Sequence, residues 1–203
     1  MKKKLPFIIG LILTVLFALW YGYRDVTHLT YDNNVNTAAY SDMGILHEGD
    51  VLEQSFVSKE DRLDGFLVKT NAYGDHANVK LVLSLVDTQT GDIAGSSEVS
   101  GADVKARKLQ RFAIEPLSGC MGREYSIMLT ETGSSDVNGV SFYCQPDKGS
   151  GHEGVFLVNG SENNGTLVMK TVTRRFDTES FIVMLISVWF IWGFLWFLSR
   201  LFK

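Results

Sequence analysis

Two stretches without a single charged residue bracket this chain. Leu5 to Tyr23 and Phe181 to Ser199 each run for 19 residues. At about 1.5 Å of rise per residue, a helix of that length reaches roughly 28 Å, close to the ~30 Å hydrocarbon core of a bilayer. Such a chain is expected to carry one transmembrane helix near each end and to fold everything between them as a separate body. The expected division is residues 1–23 as a tip and first span, 24–178 as one domain, and 179–203 as a second span and tip.

The charges sort with these parts. All 23 acidic residues lie between Asp25 and Glu179. Fourteen of the 19 basic residues lie between Arg24 and Arg175, which leaves the middle at net −9. The other five, Lys2, Lys3, Lys4, Arg200 and Lys203, occupy the two tips. By the positive-inside rule both tips face the cytoplasm and the domain between them is extracytoplasmic, giving a two-pass protein of the cell membrane. Arg174 and Arg175 stand on the outer side of the second span and read as headgroup contacts. An acidic domain argues against nucleic acid as a partner and against docking on anionic lipid by broad charge attraction.

The first run also has the basic start and apolar centre of a cleaved signal peptide. Its apolar part exceeds the usual 7–15 residues, however. It also ends in Trp20-Tyr21-Gly22-Tyr23, where bulky aromatics suit an interfacial belt better than a small-residue cleavage site. An uncleaved anchor is the expected state. The two cysteines, Cys120 and Cys144, both fall in the translocated part, where an even count reads as one disulfide, with two buried thiols as the alternative.

From Val51 to Val172 the apolar pattern has period two, the signature of strands. Val79, Leu81, Leu83 and Leu85 form one such row; Tyr125, Ile127 and Leu129 another; Val140 and Phe142 a third. Further strands are expected at 51–57, 63–71, 93–100, 109–115, 154–159 and 166–172. Thr90-Gly91-Asp92, Asn138-Gly139 and Asn164-Gly165 are turn formers. The polar loop 159–165 is expected to join Val155–Val158 and Leu167–Val172 into a hairpin. Residues 24–44 read as an extended stalk or a first strand. Nine or so short strands between turns predict an all-β domain, a two-sheet sandwich with jelly-roll-like topology.

A run of residues now carries a likeness. Glu53-Gln54-Ser55-Phe56 precedes Leu63-Asp64-Gly65-Phe66, Tyr73-Gly74 and Val79-Lys80-Leu81-Val82-Leu83. An Asp-rich turn at Asp87–Asp92, Phe112-Ala113-Ile114-Glu115-Pro116-Leu117 and Gly122-Arg123-Glu124-Tyr125-Ser126-Ile127 complete the order. Over about Gly49 to Val172 this resembles the extracellular sandwich domains of bacterial membrane glycosyltransferases and surface-polysaccharide proteins, which are similar to carbohydrate-binding jelly rolls. The resemblance implies a fold and a setting in envelope glycan chemistry. With two spans and no catalytic domain, any glycosyl transfer would have to come from a partner.

The residues offer little chemistry of their own. His28, His47, His76 and His152 show no metal-ligand spacing, and no His-Glu-x-x-His, Gly-x-Ser-x-Gly or P-loop motif is present. Carboxylate pairs such as Asp61 with Asp64 read as solvated loop charges, so the chain is expected not to be an enzyme. The loop Asn71-Ala72-Tyr73-Gly74-Asp75-His76 supplies an aromatic platform with amide and carboxylate partners, the groups a sugar site needs. Asn71, Tyr73, Asp75 and His76 are therefore the candidate glycan contacts, against the plainer reading of an ordinary turn. Asp87, Asp92 and the 159–164 loop could offer oxygens to a calcium ion, without the spacing of a known calcium loop.

The spans carry their own pattern. Gly10, Thr14, Ala18 and Gly22 recur every four residues as a small-residue stripe that lets another helix approach closely. Trp189, Trp192 and Trp196 share a face of the second run, two of them well inside it rather than at the interface. These rows are expected either to pack the two spans together or to dock on a larger integral membrane protein. Neither span holds an ionisable residue, which argues against a transporter or channel. The expected function is a non-catalytic accessory subunit presenting a glycan-binding-like sandwich beside an envelope polysaccharide glycosyltransferase or exporter. The alternative is a self-assembling envelope protein such as a polysaccharide chain-length regulator.

Overall fold

The computed structural model describes residues 5–146 and 154–202, so Lys2, Lys3, Lys4, His152 and Lys203 lie outside the described residues. The chain forms two compact units: residues 27–173, and the terminal segments 1–26 and 174–203. Helix α1 (Leu5–Gly22) is followed by β1 (Tyr23–Leu29), β2 (Ser41–Ile45), β3 (Leu52–Val57), β4 (Arg62–Tyr73) and β5 (Lys80–Asp87). Then come β6 (Ile93–Ser100), β7 (Lys108–Ser118), β8 (Glu124–Thr132) and β9 (Gly139–Gln145). The short strands β10 (Phe156–Val158), β11 (Ser161–Asn163) and β12 (Thr166–Leu167) lead into β13 (Met169–Phe176) and helix α2 (Thr178–Leu201).

The strands make two antiparallel sheets. One runs β1-β13-β4-β9-β12, with β7 on β4 and β2 on β9; the other runs β11-β10-β3-β8-β5-β6. The expected β-sandwich is present, and its pairing is nested: β5 with β6, β4 with β7, β3 with β8 and β2 with β9. Period-two alternation decides which side of each strand turns inward. Leu81, Leu83, Leu85, Ile127 and Leu129 from the second sheet meet Phe66, Val68, Phe112, Val140 and Phe142 from the first in one buried core. Phe56 and Phe66 touch across the two sheets edge to face, with ring centroids 5.6 Å apart. Each large apolar side chain so buried contributes roughly 1.5–3 kcal/mol.

Three expectations need correction. Of the two readings of residues 24–44, the stalk gives way to the strand: they hold most of β1, the start of β2 and a single turn of 3-10 helix at Thr37–Ala39, capped by the Asn36 side chain. The hairpin expected between Val155–Val158 and Leu167–Val172 does not form. Asn159 and Gly160, both with positive φ (52° and 75°), instead make the tight turn that Asn-Gly favours, and β10 pairs at once with β11. The following residues cross to the other sheet. There β12 pairs with β9 and β13 with β4, while Val168 bridges the two, its N–H donating to Tyr143 O and its carbonyl accepting from Lys69 N–H, both at 2.9 Å. Gln54, fully buried on β3, holds the crossing. Its Oε1 accepts from Leu167 N–H (2.9 Å) and the Thr166 hydroxyl (3.2 Å), and its Nε2 donates to Ser55 O (2.9 Å).

The third correction is the disulfide. Cys120 and Cys144 are both free and buried. Cys120 sits in the turn after β7, its N–H donating to Asp61 O and its thiol to Leu117 O at 3.4 Å. Cys144 lies on β9, whose pairing with β4 begins at Tyr73 opposite Gly139 and runs back toward the middle of β4. At about 3.3 Å per residue the two are separated by roughly 20 Å of strand, far beyond the ~7 Å Cα limit for a bridge. Burial raises the pKa of both thiols, which leaves them inert packing groups. Unfolded in denaturant without reductant, the protein should take up two alkyl groups per chain by mass spectrometry; a chain that alkylates only after reduction would contradict this arrangement.

In the terminal unit, α2 is 24 residues long and apolar enough to cross a membrane by length and composition. The apolar stretch Ile9–Gly22 of α1 is shorter than that standard. Asp177 starts α2 as its cap, accepting from the N–H groups of Glu179 (3.2 Å) and Ser180 (3.4 Å) and from the Ser180 hydroxyl (2.8 Å). Arg24 Nε donates to the same carboxylate at 2.9 Å. The Ser180 hydroxyl first, and Arg24 with it, hold that carboxyl down at about 2.

Candidate functional site

Alternation on β4 puts Phe66, Val68 and Thr70 inside and Lys69, Asn71 and Tyr73 outside. The adjoining strands bring matching residues to the same outer face: Asp42 from β2 and Tyr143 from β9, which are register partners. Asp42 gathers this cluster. Its Oδ2 accepts from Asn71 Nδ2 at 2.8 Å and from the Tyr73 hydroxyl at 2.9 Å, and its Oδ1 accepts from Gly44 N–H at 3.0 Å. Partial burial alone would raise the Asp42 carboxyl; the hydrogen bonds from its neighbours, Asn71, Gly44 and Tyr73 among them, outweigh it and hold the group below the usual carboxylate range. Beside them the Lys69 ammonium lies 4.9 Å from the ring centroids of both Tyr40 and Tyr143, a cation between two aromatic faces.

The four residues expected to contact glycan therefore divide. Asn71 and Tyr73 share this face, with Tyr73 36% exposed and its hydroxyl already bound. Asp75 and His76 lie in the turn beyond β4. Asp75 N–H donates to Asn138 Oδ1 at 2.8 Å, its carboxylate accepts from Ala77 N–H, and His76 Nδ1 lies 3.0 Å from Gly74 O. Sequence reasoning missed Tyr40, Asp42, Lys69 and Tyr143. Lys69 was legible as the next outward position on the strand that carries Asn71 and Tyr73. Asp42 and Tyr143 come from β2 and β9, and Tyr40 from the residue just before β2, and no local pattern announces those pairings.

A second feature of residues 27–173 is a cleft of about 530 Å³. It is lined by His28, Asp32, Asn33 and Asn34 on one side and by Ser55 and Lys59 on another. His28 Nε2 lies 2.7 Å from Glu60 Oε1 at its edge, and Asp32 Oδ1 is taken by Asn34 N–H at 2.8 Å. Its size falls in the range of small-ligand sites. Two of the possible calcium ligands, Asp87 and Asn159, hold other partners. Asp87 pairs with Arg123 and accepts from Gln89 N–H, and Asn159 binds Asp50 and Val51. Among the described residues no three His, Cys, Asp or Glu side chains gather as a metal site.

In the terminal unit the small-residue stripe meets the tryptophan row. A Cβ added at Gly10 would stand 2.4 Å from the Trp192 ring, and one at Gly22 would stand 2.7 Å from Phe176 and 3.2 Å from Phe181. Ala18 is fully buried, and the Thr14 hydroxyl donates to Gly10 O at 2.9 Å. Trp189 and Trp196 instead remain more than half exposed and, with Leu11 and Thr14, line a groove along the helix pair.

No protein-family model matches the chain, and no curated protein matches it.

Two outcomes follow. Replacing Asp42 by Ala should lower unfolding stability by about 1–3 kcal/mol, since two side-chain donors lose their acceptor. Because the folded carboxyl titrates below its ordinary value, this contribution is complete above about pH 4 and fades as the pH falls further. Chemical denaturation across that range should show the acid loss in the wild type and a shallower one in Asp42→Ala. Gly10→Leu should weaken the helix pair by about 1–3 kcal/mol by overpacking against Trp192. A lower midpoint of the helical circular-dichroism signal on detergent titration would register it; an unchanged midpoint would show that the close approach does not matter.

Proposed function

We propose that the chain is a two-pass membrane protein, both ends cytoplasmic, whose extracytoplasmic domain serves as a non-catalytic accessory subunit beside an envelope polysaccharide glycosyltransferase or exporter. The sandwich in this reading is a jelly roll. Its support is the nested pairing of eight successive strands, β2 through β9, which is what a long hairpin rolled into two interlocked Greek keys produces. The topology draws on the two uncharged runs and on the basic residues at the tips.

The observation that carries the functional reading is the outer face of β2, β4 and β9. Tyrosine rings, a lysine, an amide and a carboxylate held in one half-exposed strip are what a saccharide needs. The rings take its apolar faces, and the charged and amide groups take its hydroxyls. The groove at Trp189 and Trp196 is the surface left for a partner in the membrane. The self-assembling alternative, whose members usually have helical external domains, draws no support from residues 27–173, where the regular elements of the described chain are strands and two single turns of 3-10 helix.

Purification of the full-length protein from its native membrane in mild detergent, followed by mass spectrometry, tests the partner. A stoichiometric glycosyltransferase or exporter is expected, and recovery of the chain alone would count against an accessory role. An array of envelope glycans, read with the full chain, tests the face. Binding is expected to drop at least tenfold in Lys69→Ala, and no binding by the wild type would remove the glycan part of the proposal.

A further inference from the structure

The inner face of β8 carries Ile127 and Leu129 and then, where alternation asks for a third apolar residue, Glu131. Its side chain is 1% exposed. Oε1 accepts from Val140 N–H at 3.0 Å, while Oε2 is buried with no hydrogen-bond partner among the described residues. The Ser134 hydroxyl nearby is likewise buried and unpartnered. Both residues crowd Gly139: a Cβ there would lie 2.9 Å from Glu131 Oε1, 3.3 Å from Ser134 Cβ and 2.4 Å from Ile45 Cγ2. Unsatisfied polar atoms from β8 and the loop after it thus converge at one end of the sandwich, and glycine at 139 leaves them the room.

A carboxylate charge in such a place is costly without a counter-charge. Among the described residues the titratable groups on the surrounding elements supply none: in the loop against Asn138, Asp75 is exposed and His76 Nδ1 lies 3.0 Å from Gly74 O. Asp42 on β2 is bound by Asn71 and Tyr73, Asp50 by His47 N–H and Asn159, and Lys80 on β5 by Glu98 at 3.0 Å; His47 and Asp136 are exposed. Burial lifts the Glu131 carboxyl to about 7, and the Val140 N–H offsets only part of that rise.

We propose that Glu131 is a proton-operated latch for the end of the sandwich that bears Asn71 and Tyr73. Carrying its proton, it stays inside and ties β8 to β9. Releasing the proton to solvent, it is drawn out toward water and loosens the start of β9. That strand passes the change on, because Val140 is the register partner of Ala72, Gly139 of Tyr73 and Ser141 of both Asn71 and Ile45. The sign follows from the folded carboxyl lying above its ordinary value of 4.5. Between that value and about 7 the folded chain keeps a proton the unfolded chain has lost, so the stability of this end falls as the pH rises through that window. The inference does not depend on glycan binding.

Hydrogen exchange on the full-length protein in mild detergent, corrected for the intrinsic pH dependence, tests it at about pH 5.5 and about pH 8. Protection of residues 133–142 should fall about tenfold more than that of β5 on going to the higher pH, and Glu131→Gln should hold it level. Equal protection at both pH values, or a Glu131→Gln protein that keeps the wild-type dependence, would overturn the proposal. Should that variant not fold, a 13C carboxyl titration of the wild type decides. A glutamate midpoint near 7 supports the latch, and ordinary midpoints for every glutamate reject it.

Discussion

The contact between the inner faces of the two sheets is the interaction on which residues 27–173 depend. Neither sheet could stand alone in water, since each turns a row of Leu, Ile, Val and Phe to one side. Pressed together, the rows remove one another from solvent and fix which residues of every strand are left outside. Phe56 against Phe66 is the clearest point of that contact. The outer strip of Asp42, Lys69, Asn71 and Tyr73 exists because the neighbouring positions, Phe66, Val68 and Thr70, are committed to the core. The outer strip is the complement of the packed face.

Where a polar group does enter the core, the sandwich treats it in two ways. Gln54 uses both ends of its amide, binding Ser55, Thr166 and Leu167, and so fixes the crossing of the chain from one sheet to the other. Glu131 is left half satisfied. The first is a structural tie, stable because every bond is made. The second is a place where the fold tolerates a cost, and such places are where responsiveness resides.

The terminal unit follows a different rule. Its helices leave apolar side chains exposed on more than one face, so apolar burial does not by itself choose their partner face. Close approach does instead. Gly10 and Gly22 admit Trp192, Phe176 and Phe181 where any larger residue would hold the helices apart, and Asp177 both caps α2 and receives Arg24. The spacing of four between small residues was readable in advance because it is a property of one helix. Which aromatic residue would fill the gap was not, because that depends on the register between two helices.

The same division holds for the whole chain. Local pattern by itself determined the strands from β3 to β9, their inward and outward sides, the β class and the apolar helix at the C-terminal end, because periodicity and turn chemistry act between residues a few positions apart. It failed where the outcome depended on pairing with distant parts of the chain. The even pair of cysteines read as a bridge, yet strand register sets Cys120 and Cys144 far apart. The apolar runs on either side of the 159–165 loop read as a hairpin, yet a tighter Asn-Gly turn and the buried amide of Gln54 send them to opposite sheets. Asn71 and Tyr73 were visible as a pair on one strand. Asp42, Tyr40 and Tyr143 joined them only through pairings between strands dozens of residues apart, and the isolation of Glu131 is likewise a fact of packing. Hydrogen-bond partners and the absence of a counter-charge are properties of space, and only the tertiary structure decides them.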